Sequence, residues 1–398
     1  MRARSFRRRS CVSSIYPPWH GARCGKGKSG AGRAANLIRQ LWQICQCGTG
    51  AARSRRSVEE TVTRRLTRRA SLAGAAVLPS VVLLSRGLRA QSGSSGWKPS
   101  QGVRIVVPAA PGGTTDIVAR LLAAHLQAAW GQSCVVDNKS GAGGVIGSTE
   151  VAKATADGHT ALMGNIGPQS IAYSLYRNMP YRPDSLIGVS KVITAPNVLL
   201  VHPSVPAKTV PEFVAWLRAQ NGTASYASSG TGQSPHLSGA WFLQLTGTKA
   251  EHVPYRGAAP ALNDLVAGIT QFFFDNLTTS IEFMRAGKLR ALGLTSAQAN
   301  PLTPEVPPIA GTMAELKPFD VSTWFGVFLP AGAPRPVVDA YNEEIKLWLR
   351  AEATRERFRT MAGFPAYSTP EQFKDLVDAQ VALWKGVIDK EGLKMDVN

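Results

Sequence analysis

From residue 103 to the C-terminal region the chain alternates between short β-type runs and amphipathic helical stretches, and this alternation most limits what it can fold into. VRIVV at 103–107 reads as a strand. It is followed over 115–130 by a helical stripe of Ile117, Val118, Leu121, Leu122 and Leu126. CVVD at 134–137 is strand-like, NKSGAGGVIG at 138–147 is a glycine-rich loop, and STEVAKA at 148–154 is helical. Further strands are expected at 159–165, 197–203, 223–228, 251–255, 270–276, 289–295 and 324–330, with helices at 235–247, 260–268, 280–287, 337–350 and 370–388. The triple phenylalanine at 272–274 reads as a strand buried on both faces. Strands alternating with helices of this length predict an α/β fold, its sheets mostly parallel and flanked by helices.

The formal charge of +19 suggests a nucleic-acid or anionic-membrane partner until its distribution is read. Residues 1–90 hold 19 of the 45 Lys and Arg with only Glu59 and Glu60 against them, so residues 91–398 are close to neutral. No nucleic-acid partner is expected. Within the leader, paired arginines at 64–65 and 68–69 precede an apolar run over 70–84 and a small-residue exit, Leu88-Arg89-Ala90. Interrupted by Pro79, the run is too short for a bilayer-spanning helix. Residues 58–90 therefore read as a signal peptide, cleaved near Ala90 and using the twin-arginine or the general secretory route. Residues 1–57 form a basic, low-complexity extension, read as an early-called start or as an interaction tail. GKGKSG at 25–30 does not make a phosphate loop, because Ala22 stands where its first glycine belongs.

Four of the five cysteines, at 11, 24, 45 and 47, lie in the leader, and Cys134 reads as a buried strand thiol. Beyond residue 90 no internal disulfide can form, so that part depends on its core. Some 300 residues ordinarily divide into two domains. No histidine, cysteine or carboxylate set has metal spacing and no G-x-S-x-G elbow is present, so neither a metal, a cofactor nor a catalytic group is expected.

Three strand exits carry the functional signal: PAAPGGTTD at 108–116, GNIGPQS at 164–170 and ASSGTGQSPH at 227–236. All are rich in Gly, Ser, Thr and Asn and free of Lys and Arg. In α/β sheets ligands sit at the carboxyl ends of strands, beside helix N-termini that favour anions. Loops of this composition suit an uncharged cradle for a small carboxylate. Asp116 reads as a helix-start residue, and His236 and His252 as packed or hydrogen-bonded rather than catalytic.

PAAPGGTTD, VDNKSGAGG, ASSGTGQS and VPYRG, in this order and spacing, resemble the Bug-type extracytoplasmic solute receptors, the binding component of tripartite tricarboxylate transporters. The resemblance implies a two-lobed periplasmic-binding-protein architecture with the ligand between the lobes. One lobe would comprise 91–199 plus 323–398 and the other 200–322, with 197–203 and 322–328 as the crossing strands. It implies ligand donors at Ala110, Gly112, Gly113, Thr114 and Thr115 in the first loop and at Asn165 and Gln169 in the second. Ser229, Gly230, Gly232 and Ser234 would face them from the other lobe, with His236, Tyr255 and Asp275 as walls. A monomer in the periplasm is expected, loading a small carboxylate onto integral-membrane transporter subunits. A receptor docking on a periplasmic sensor domain, and an exported carboxylate-acting enzyme with Asp275 as its acid, are the competing expectations.

Overall fold

The computed structural model describes residues 96–391 and Lys394; the leader and its expected signal peptide lie outside the described residues. In chain order the strands and helices begin with β1 (Val103–Val107), α1 (Thr114–Trp130), β2 (Cys134–Asn138), α2 (Val145–Ala152) and β3 (Thr160–Asn165). A π-turn at Gly167–Ile171 leads into the short α3 (Ala172–Leu175) and the long β4 (Leu186–Val201). Then come α4 (Val210–Gln220), β5 (Ser225–Ser228), α5 (Ser234–Thr246), β6 (Glu251–Pro254), α6 (Ala258–Val266), β7 (Phe272–Asn276), α7 (Leu277–Arg285) and β8 (Arg290–Leu294). The chain returns through β9 (Ser322–Pro330), α8 (Arg335–Arg350), α9 (Glu352–Thr360), β10 (Phe364–Pro365) and α10 (Pro370–Glu391).

The strands form one curled mixed sheet in the order β2-β1-β3-β9-β4-β7-β5-β6. Each half contains a parallel triplet, β2-β1-β3 and β6-β5-β7, as the strand–helix alternation predicts. The triplets are joined by antiparallel strands. β4 is the connecting element. Its residues 186–196 pair with β9, and Asn197–Val201 pair with β7 and β8 instead. Two register shifts against β9, between Gly188 and Ser190 and between Lys191 and Ile193, give it the extra twist that a strand of about 50 Å needs to serve both halves. Pro196, which has no N–H to donate, occupies the last paired position before the change of partner.

Apolar residues sort to both faces of each half. Val103, Ile105 and Val107 of β1 join one cluster with Leu122, Leu126 and Tyr341, while Val106 joins a second with Leu162, Trp324 and Phe373. In the other half Phe272 and Phe274 face one cluster and Phe273 the opposite one, so β7 is buried on both sides as its sequence predicts. Cys134 is buried on β2, and that burial pushes its thiol up to about 11.

Candidate functional site

The first strand exit is shaped by a buried carboxylate. Asp116, in the first turn of α1, accepts the Gly112 N–H at 2.9 Å and Asn138 Nδ2 at 3.0 Å, and Arg120 binds it from one turn later. Asn138 also donates to the Ala109 carbonyl at 3.0 Å, so loop 109–113 is tied to both α1 and β2. Burial works against the charge of Asp116, yet the bonds from Arg120, Gly112 and Asn138 hold its carboxyl below the usual carboxylate range. The helix-start residue is therefore the clamp that sets the loop.

The second exit is internally bonded as well. Gln169 Oε1 accepts the Asn165 N–H at 2.8 Å and Gln169 Nε2 donates to Ser148 Oγ at 2.8 Å, so both ends of this buried amide are committed within the fold. Asn165 Oδ1 accepts the Gly167 N–H at 2.9 Å, and Asn165 Nδ2 reaches Thr115 Oγ1 at 3.4 Å. The first two predicted loops are thus joined to each other.

Two histidines hold the third exit. Ser228 Oγ accepts the Gly230 N–H at 3.2 Å and lies 2.6 Å from His252 Nε2, to which its own proton is then directed. His236 Nδ1 accepts the Gly232 N–H at 3.2 Å. The two rings stack with centroids 4.1 Å apart, and Tyr226 stacks on the far side of His252. Burial pushes His236 down to about 4, and burial together with its neighbour pushes His252 down to about 3, so both rings are neutral acceptors. Ser229 is half-buried and Ser234 opens α5 fully buried. Tyr255 donates to Asp264 at 2.6 Å, and burial with that carboxylate pushes its hydroxyl up to about 12.

Asp275, next to last in β7, has no exposed surface. Its Oδ2 accepts hydroxyl bonds from Thr279 and Ser280, both at 2.7 Å, while Oδ1 has no partner. Burial pushes it up to about 6. It sits beneath the first turn of α7 rather than on an open wall.

The exits of the two sheet halves meet directly. The Ala110 N–H donates to the Arg256 carbonyl at 2.9 Å, and Thr114 Oγ1 lies 2.5 Å from Thr278 Oγ1. Cβ positions built on Gly112 and Gly113 face Ala259 and Ala258 in the first turn of α6. The N-termini of α1, α6 and α7 thereby converge, and none of them has a side-chain cap. Their first-turn N–H groups remain available to an anion. Of the predicted residues, Ala110 and Gly112–Thr115 border this seam, and Gly230 lies beside the Gly143 backbone across it. The expectation that Ala110 and Gly112 are ligand donors is corrected, because their N–H groups are already given to the Arg256 carbonyl and to Asp116. Gln169 and Asp275 lie deeper.

Residues that sequence reasoning missed complete the seam. Gln233 Nε2 donates to the Gly143 carbonyl at 2.7 Å, and the Tyr176 hydroxyl donates to the Thr231 carbonyl at 3.1 Å. Gly143 adopts φ +60° against Thr231, a place with no room for a Cβ. The glycine-rich run 138–147 was the only signal of it. Arg256 is exposed and contributes its carbonyl. Among the described residues no group of three or more His, Cys, Asp or Glu could hold a metal, and no helix is long and apolar enough to cross a membrane.

Residues 118–393 match the tripartite tricarboxylate transporter family receptor. The chain is 34% identical to Protein BugT of Bordetella pertussis over 301 residues, 75% of this chain and 91% of BugT. Among solved structures it is similar to R. palustris Rpa4515 with adipate, at TM-score 0.71 and 34% identity, over 74% of this chain and 98% of that one. It is also similar to MatC from Rhodopseudomonas palustris with bound malate, at TM-score 0.70 and 30% identity, over 73% and 99%. With the strand exits arranged as described, these matches assign the chain: it belongs to the tripartite tricarboxylate transporter family of solute receptors.

Proposed function

We propose that this receptor captures a small dicarboxylate in the seam between its two sheet halves, releases it chemically unaltered, and presents it to membrane transporter subunits. The observation that carries the reading is the convergence of the uncapped N-termini of α1, α6 and α7, whose entering loops hold Arg256 as their one exposed cation. Backbone N–H groups at helix N-termini suit a carboxylate. Adipate and malate, bound by the two similar R. palustris proteins, are the first candidates. One carboxylate would lie against the N–H groups of Gly113, Thr114 and Thr115, and the loop 229–234 would close over the remainder.

The lobes proposed from the sequence, 91–199 with 323–398 and 200–322, hinge in this reading where β4 changes partners between Pro196 and Asn197 and where β9 begins. Closure about two such strands is a hinge motion. The leader 58–90 is read as the export signal that brings the protein to the periplasm. A calorimetric titration with adipate, malate and their uncharged diamides tests the proposal. Saturable binding of a dicarboxylate, recovered at its original mass, is expected. Equal binding of the diamide, or a changed mass, would defeat it.

A further inference from the structure

A second concave site lies away from the seam. A cavity of about 440 Å³ opens between the last turn of α8, α9 and β10, and the return loop contributes Leu302. Four cations line it, Lys346, Arg350, Arg355 and Arg359, and no carboxylate does. Lys346 is paired with Glu343 and Arg359 with Glu356, so part of this charge is answered along the helices. Arg350 and Arg355 have no carboxylate partner among the described residues. Arg355 makes only a long bond, 3.4 Å, from Nε to the Leu349 carbonyl. Clustered like charges repel one another, and an anion between them relieves that repulsion.

The rest of the lining is apolar. Leu302, Leu349 and Pro365 line the cavity, and Phe364 and Tyr367 border it while 37% and 39% exposed. Aromatic rings beside guanidinium groups give a ligand both an apolar face and cationic partners. A volume at the lower end of the usual ligand-pocket range leaves room for one ring-sized body.

The cavity also lies beside the place where the two sheet halves exchange. β10 pairs with β4 at Ile193 and Thr194, just before the partner change at Pro196. The end of α9 and the segment after it are tied to the other half, since Arg285 donates to the Thr360 carbonyl at 2.9 Å and Ala362 packs in the cluster of Leu262 and Ile281.

We infer that this cavity is a second binding site, for an organic anion that carries more than one acidic group on an apolar body. Guanidinium groups of Arg350 and Arg355 take the acidic groups, and Leu302, Leu349 and Phe364 take the body. The inference stands apart from the dicarboxylate reading of the seam.

Trimesate, a benzene ring bearing three carboxylates, is the probe, with inorganic phosphate as the control for charge alone. Both are titrated calorimetrically at fixed ionic strength into the protein, into the seam variant Gly143→Ala, and into each of these carrying Arg350→Ala with Arg355→Ala. Both arginines are exposed, and Arg355→Glu alone is a second, independent variant. In the Gly143→Ala background, removal of the two arginines weakens trimesate at least tenfold, Arg355→Glu does the same, and phosphate binds at least tenfold more weakly than trimesate. Trimesate binding that ignores the arginines, that vanishes with Gly143→Ala alone, or that is absent at millimolar concentration overturns the site. Phosphate binding as tightly as trimesate overturns the organic class.

Discussion

Gly143→Ala isolates closure of the seam from stability of the fold. An added Cβ would approach the Thr231 carbonyl oxygen about 1 Å closer than the 3.0 Å that real Cβ atoms keep. Neither atom is the movable end of a side chain, so the two loops must separate by that amount. The bond from Gln233 Nε2 to the Gly143 carbonyl, 2.7 Å long, then stretches beyond hydrogen-bonding range. The bond from Tyr176 to the Thr231 carbonyl is drawn with it. At about 1 kcal/mol net for each bond, closure loses about 2 kcal/mol. A ligand that binds the closed arrangement should then bind about 30-fold more weakly. Gly143 also has φ +60°, where alanine costs about 1 kcal/mol, and that cost falls on folding rather than on closure. Gly131→Ala separates the two effects, because Gly131 has φ +71° with nothing within 4 Å of its built Cβ. Urea unfolding should find both variants about equally destabilised, while calorimetry with adipate or malate finds only Gly143→Ala impaired. Dicarboxylate affinity in Gly143→Ala within threefold of the parent protein would refute the reasoning.

Asp116→Ala removes the acceptor of Gly112 and Asn138 while Arg120 stays in contact with solvent. A loss of about 2 kcal/mol in urea unfolding is expected, with weaker ligand binding because loop 109–113 is no longer clamped. Asp275→Asn tests the buried carboxyl. Its folded value of about 6 lies above the ordinary 3.8, so the native state binds the extra proton and stability falls as pH rises through that window. The shift of about two pH units corresponds to about 3 kcal/mol, so Asn should gain that much on the parent between pH 4 and 7. His236 and His252, with folded values below the ordinary one, act in the opposite sense and cancel from the difference between the two proteins. A flat difference across this range would mean that Asp275 ionises in the fold at its ordinary value, as in the unfolded chain.

Much of the fold was legible because several of its strands, β1, β3 and β7 among them, are short and almost wholly buried. VRIVV and FFFDN are read by composition alone, and Gly131 and Gly247 end their helices in the left-handed conformation that glycine favours. The length of β4 was not legible. Gly188, Ser190, Lys191 and Pro196 read locally as a break, and only pairing with β9 keeps the strand continuous from Leu186. α9 was missed because it buries only Thr354 and Phe358, too few to form an apolar stripe.

At the site, the glycine turn before α1 announced itself, since a strand exit feeding a helix start is a local pattern. Gly143 did not, because its constraint comes from Thr231, a partner 88 positions away that the topology brings across the seam. The clamp role of Asp116 was hidden for the same reason. Its partner Asn138 lies at the end of the neighbouring strand, and a first-turn aspartate by itself says only that a helix begins.

The central claim is that a dicarboxylate is held by backbone N–H groups where the two sheet halves meet. Amide hydrogen exchange of the protein with and without a saturating dicarboxylate tests it most directly. Slowed exchange is predicted at the amides of residues 113–115, 229–234, 257–259 and 277–280, with residues 346–367 unchanged. Binding that leaves those four segments unaltered and protects another part of the chain would contradict the account.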